Sequence, residues 1–229
     1  MQQFTLNVAV DTGPTLENFL PIGNEAAHQH LRLWLGDTAR RSPVPIYLWG
    51  ASGAGKSHLL RAVQRGLTER GEPFGHLDIA ADEPPSFDVA WRVVLMDDVH
   101  RFNAVQQHAA FNWFVNAQTT GCSVLAAGDA PPANLLLRDD LRSRLGWGDI
   151  FALQALSDEA QQQVLRASAA ARGLALSDEV LGYMSTRFSR DLGNLMQWLD
   201  KLDQYALQTK RAITVPMLKE MLDNIDQLI

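Results

Sequence analysis

Gly50-Ala51-Ser52-Gly53-Ala54-Gly55-Lys56-Ser57 follows directly on the apolar run Ile46-Tyr47-Leu48-Trp49 and leads into an amphipathic segment that begins at His58. The spacing is that of a phosphate-binding P-loop between a strand and a helix. Glycines let backbone N–H groups curl around phosphate oxygens, Lys56 reaches the outer phosphates, and the Ser57 hydroxyl is placed to ligate Mg2+. The first turn of the following helix adds its positive dipole end to the same anion site. The expected nucleotide contacts are therefore Gly50, Ala51, Ser52, Gly53, Ala54, Gly55, Lys56, Ser57 and His58, with ADP or ATP as the ligand and Mg2+ as its counter-ion.

Outward from the loop, apolar runs alternate with helical patterns. Upstream, Asn24 reads as the N-cap of a helix with Ala27, Leu31, Trp34 and Leu35 on one face. Downstream, the P-loop helix stops at Gly71, and Gly75 to Ala80 has strand character. Val93-Val94-Leu95-Met96 is an uninterrupted apolar run, the mark of a strand buried on both faces of a parallel sheet. A helix is expected over roughly Ala104 to Ala117, then another buried strand over Ser123 to Ala127. Such alternation predicts an α/β fold with a doubly wound parallel sheet, whose ligands sit at the carboxyl ends of the strands. Asp97 and Asp98 end one strand and Asp129 ends the next. An acid at such a place supports Mg2+ on a rigid mount, the role expected for Asp97. Asp98 then orients or deprotonates an attacking water, and Asp129 touches that water or the outer phosphate; as bland alternatives, the paired acids cap the next helix and Asp129 forms a turn before Pro131.

From about Leu156 the pattern is helical only. Ser157 before Asp158 and Glu159, and Ser177 before Asp178 and Glu179, are N-caps with acidic first turns. Leu192, Leu195, Met196, Leu199, Leu202 and Ala206 recur at helical spacing, and Thr214-Val215-Pro216 opens a last helix. The expected organisation is a tail over 1–14, an α/β domain over 15–155 and a small helical lid domain over 156–229.

Composition narrows the function classes. The chain has 229 residues and a net charge of -6, which argues against general attraction to nucleic-acid phosphates. No apolar run approaches the roughly 18 residues that span a bilayer, and residues 1–10 lack a secretory pattern. One cysteine, Cys122, excludes an intrachain disulfide and fits a reducing cytoplasm. Its setting at the start of a buried strand predicts an inert thiol. A local basic cluster remains at Arg138, Arg142 and Arg144.

The run Val93 to His100, the loop Gly128-Asp129-Ala130-Pro131-Pro132, and above all Leu141-Arg142-Ser143-Arg144-Leu145-Gly146-Trp147-Gly148 resemble the AAA+ region of DnaA-type replication initiators. Within that group the chain is most similar to the Hda-type regulators of replication initiation, from roughly Leu16 to Ile229. The resemblance implies that Arg144 is an arginine finger offered to the nucleotide of a neighbouring protein, the initiator DnaA. It also implies that Arg190 reports on bound nucleotide from the helical domain, and that Phe19, Gly23 and Asn24 lie near the adenine. Gln3, Phe4 and Leu6 are similar to the short N-terminal peptide with which such regulators dock on the DNA sliding clamp. The initiators carry a further DNA-binding domain beyond the point where this sequence ends, so contact with DNA is expected only through partners. These expectations describe a cytoplasmic negative regulator that hastens ATP hydrolysis on DnaA, with no membrane role and with a homo-oligomer as one form that hides Arg144. The alternative is a self-sufficient ATPase that loads or remodels, since Gly55-Lys56-Ser57 is intact.

Overall fold

Apolar stretches that send alternate side chains to opposite faces form the centre of the first of two units. The computed structural model describes residues 13–38, 41–77, 79–80, 83–188 and 192–226, and the chain divides into Gly13–Ala155 and a second unit that takes in Leu156–Ile229. In the first, β1 (Ile46–Trp49), β2 (Phe74–Leu77), β3 (Val93–Met96), β4 (Ser123–Gly128) and β5 (Asp149–Ala152) form one sheet in the order β2-β3-β4-β1-β5. Every pairing is parallel.

Both faces are covered. Ile46, Leu48, Val93, Leu95, Leu125 and Ala127 pack on one side with Leu31 and Trp34 of α1 (Glu25–Gly36) and Leu59 and Val63 of α2 (Lys56–Glu69). Tyr47, Val94, Met96, Val124 and Ala126 pack on the other with Trp113 and Phe114 of α3 (Ala104–Thr120) and Leu141 and Leu145 of α4 (Asp139–Leu145). The alternation explains why the strands read as unbroken apolar runs: each successive side chain enters a different core. Burying each large one stabilises the fold by about 1.5–3 kcal/mol. The architecture is the expected doubly wound α/β fold.

Several boundaries differ from the reading of the sequence. The strand expected over Gly75 to Ala80 covers Phe74–Leu77, and Ile79 and Ala80 lie in a turn. Helix α3 runs to Thr120, where Gly121 in the left-handed conformation ends it. Asn24 precedes α1 but makes no side-chain capping bond. Helix α4 and strand β5 were not anticipated.

Gly148 explains how β5 joins the sheet. A Cβ there would collide with the Pro45 carbonyl oxygen, and the next amide, Asp149 N–H, donates to that same oxygen at 2.8 Å. Only a residue without a side chain lets the strand close on β1 at that point.

The second unit is built from α5 (Asp158–Ala171), α6 (Asp178–Arg187), α7 (Leu192–Thr209) and α8 (Val215–Asp226). Ser157 and Ser177 cap the first two, each hydroxyl accepting a backbone N–H at 3.3 Å. Leu165, Leu181, Met184, Leu195, Leu199, Leu202 and Leu218 form its own core.

Candidate functional site

The register of the sheet gathers the expected site at one end. Trp49 pairs with Gly128, so Gly50 and Asp129 leave adjacent strands at the same level, and Met96 pairs with Ala126, which places Asp97 one strand further on. With strands about 4.8 Å apart, the chain at Asp97 runs roughly 10 Å from that at Gly50. That separation suits a nucleotide's phosphates and their cation between the two.

Within the loop, Gly53 and Gly55 have φ of 78° and 92°, which favours glycine. A Cβ on Gly55 would also lie 2.7 Å from the Phe19 ring. Lys56 is 7% exposed. Its ammonium donates to the Gly50 carbonyl at 2.7 Å and to the Ala51 carbonyl at 3.0 Å, so the cation is held over the curl of the loop. Ser57 and His58 follow in the first turn of α2, whose leading amides have no carbonyl to meet inside the helix. This donor set fits a polyphosphate.

Phe19 packs between two imidazoles, its ring centroid 5.6 Å from those of His28 and His58. His28 Nε2 lies 2.6 Å from the Leu16 carbonyl oxygen, and His58 Nε2 lies 3.1 Å from that of Thr15. The segment 15–19 is thereby strapped across the start of α2. Burial pushes the His58 imidazole below its ordinary pKa and the Arg61 charge adds to this, against the opposing effect of the Thr15 carbonyl. The strap rests on a neutral ring near pH 7.

Asn24, expected near the adenine, is 4% exposed and pairs with the chain just past β5, next to Leu153, which adjoins Gly50. Its Nδ2 donates to the Gln154 carbonyl at 3.0 Å, and its Oδ1 accepts the Gln154 N–H at 2.8 Å. The side chain thus mimics a strand partner and ties the start of α1 to the end of β5. Both functions of its amide are engaged by that backbone.

At the ends of β3 and β4, Asp97 Oδ1 accepts the Asp98 N–H at 2.9 Å. Asp98 stands in the left-handed region with φ 49°, and its carboxylate is 3.5 Å from Arg101. Asp129 is half exposed and lies 3.8 Å from His100 Nδ1. Beside it, Tyr47 donates from its hydroxyl to the Ala130 carbonyl at 2.8 Å, and burial, with the Asp129 charge second, raises the phenol's pKa. Among the described residues no cluster of His, Cys, Asp or Glu could hold a metal ion alone. Ser57 and Asp97 are the hard oxygen donors that a phosphate-borne Mg2+ would use, and such an ion usually keeps several waters.

Arg144 stands elsewhere. It lines a groove of about 540 Å3 whose floor includes Pro43, Pro45, Cys122 and Val124, residues at the amino ends of β1 and β4. Its walls come from Phe111, Phe114 and Gln118 on α3 and from Asp140, Ser143, Arg144 and Trp147, the last just past α4. Strands rise about 3.3 Å per residue, so the length of β1 puts roughly 10 Å or more between this end of the sheet and the P-loop. The P-loop and the groove that Arg144 lines therefore lie at opposite ends of the strands. Phe111 and Gln118 were not anticipated; Trp147, which belongs to the quoted run Leu141 to Gly148, is 63% exposed. Gln3, Phe4, Leu6 and Arg190 lie outside the described residues.

Comparison with known proteins places this geometry. A family model described as the Hda lid domain matches residues 158–222. An uncharacterized protein of Haemophilus influenzae is 33% identical over 218 residues, covering 91% of this chain and 93% of its own length. Domain III of the Thermotoga maritima replication initiation protein DnaA superposes with a TM-score of 0.69 at 19% identity, over 92% of this chain and 95% of that one. A replication initiator DnaA bound to AMPPCP and single-stranded DNA gives 0.64 at 20% identity, over 86% of this chain and 68% of that one. The Thermotoga maritima RuvB branch-migration motor gives 0.59 at 16%, over 92% and 71%. The structural likenesses establish the fold, and with the lid match and the full-length relative they show that the chain belongs to the Hda-like, DnaA-related AAA+ proteins.

Proposed function

We propose that this protein regulates replication initiation by completing the ATPase site of a DnaA-type initiator with Arg144. The observation that carries the reading is the position of Arg144, at the amino ends of the strands while its own P-loop is at the carboxyl ends. From there it has no route to its own nucleotide, but it is well placed for a phosphate on a stacked neighbour. Its planar guanidinium offers paired donors to phosphoryl oxygens and offsets the charge that develops on them. Such a group is worth about 10^3 to 10^5 in hydrolysis rate where it has been removed or supplied.

In this reading Gly50 to Ser57 hold a resident nucleotide, ADP in the resting form, through backbone amides and Lys56. Phe19, Gly23 and Asn24 lie on the base side, Arg190 senses the phosphates, and Asp97 with Ser57 would support the magnesium ion. The bound ion neutralises phosphate charge. Gln3, Phe4 and Leu6 anchor the protein on the DNA-loaded sliding clamp. Support for the family role comes from the Hda lid match and from the nucleotide-bound DnaA neighbours.

Intrinsic hydrolysis is the second reading, favoured by the gathering of Lys56, Asp97, Asp98 and Asp129 at one end of the sheet. Hydrolysis by the initiator, measured with DNA-loaded clamp and the native chain, Arg144→Ala or Lys56→Ala, separates the two. The first reading expects stimulation to vanish with Arg144→Ala. Turnover by this chain alone, lost in Lys56→Ala, supports the second. Capture on the clamp should be lost when Gln3 and Leu6 become alanine, and undiminished capture removes the anchor.

A further inference from the structure

Neighbouring arginines on and beside α4 are treated differently by their surroundings. Arg138 pairs with Asp140 at 2.6 Å, and Arg142 pairs with Asp139 at 2.5 Å. Arg144 meets no carboxylate among the described residues. Its Nη1 donates to the neutral Gln118 Oε1 at 3.2 Å, and its guanidinium carbon stands 4.9 Å from the centre of the Phe111 ring. Phe111 and Gln118 are two turns apart on one face of α3, so a single rigid element supplies both contacts.

A carboxylate in this place would make a charge-assisted pair roughly twice as strong as a neutral hydrogen bond. Any incoming phosphate would then have to displace it. A neutral acceptor and an aromatic face fix the direction of the guanidinium while leaving its charge unspent.

We infer that Gln118 is a positioning residue for Arg144, a neutral rest that aims the finger along the α3–α4 groove and yields it to phosphate. The inference rests on the trans role of Arg144 proposed above. Gln118 is exposed, so replacing it leaves the fold intact.

The test uses the full chain, DNA-loaded clamp and an ATP-bound DnaA-type initiator, and reads the maximal hydrolysis rate separately from the half-saturating concentration. Gln118→Glu lowers the maximal rate about tenfold, Gln118→Met lowers it about threefold, and both leave the half-saturating concentration within about twofold of native. A merely structural role predicts the opposite order, because Glu is nearly isosteric with Gln. Equal rates for Gln118→Glu and native, a greater loss in Gln118→Met, or a loss confined to half-saturation each overturn the inference. Arg144→Ala stimulating as well as native overturns the trans reading itself. If Arg144→Ala abolishes stimulation while Gln118→Glu is silent, only the positioning role falls.

Discussion

Buried residues in this chain carry their functions in their contacts. Cys122 is 2% exposed, and burial pushes its thiol up to about 11 against the weaker opposing pull of Arg92 and Arg41. The thiolate is the reactive form, so at pH 8 it should react with a disulfide reagent at about a hundredth of the rate of the denatured chain. Equal rates in buffer and in denaturant would contradict this. The sign for stability is that of a raised acid: the neutral thiol's contribution is full below pH 9 and is lost as pH rises through 11. Cys122 was legible in the sequence because a cysteine beside an apolar run has one common fate. Asn24 was not. It stands where an N-cap belongs, but its partner is Gln154, 130 residues away, and no local pattern encodes such a pairing.

At the scale of elements, the strap over α2 and the brace at Asn24 hold the ends of the first unit in place. Asn24→Ala leaves the Gln154 N–H and C=O without their partner, and should cost about 1–3 kcal/mol in chemical denaturation. An unchanged midpoint would show that water replaces the amide. His58 has a lowered pKa, so its contribution is present above its unfolded value of 6.5 and is lost as pH falls toward its folded value. The native protein should therefore lose more melting temperature between pH 7 and pH 5 than His58→Gln does. Equal losses would remove His58 as the cause. The buried strands and the P-loop helix were legible because their apolar pattern is unbroken. Helix α4 is seven residues long and largely charged, and β5 is a four-residue edge strand with most of its side chains exposed, so neither builds a periodic signal.

In the proposed reading, the whole molecule separates the nucleotide it binds from the arginine it offers. The nucleotide loop, Asp97 and Asp129 were readable from the rule that ligands gather at the carboxyl ends of parallel strands. Arg144 had no such rule. On spacing it was one arginine in a charged cluster, and what distinguishes it is tertiary: neutral partners, a groove, and a place at the far end of the sheet. That division makes action on a second protein's nucleotide the central claim. It is tested most directly in a single turnover, with γ-labelled ATP bound beforehand to the initiator and this protein added with DNA-loaded clamp. Release of labelled phosphate should be hastened about a thousandfold or more by the native chain and not at all by Arg144→Ala. Equal acceleration by the two would contradict the account.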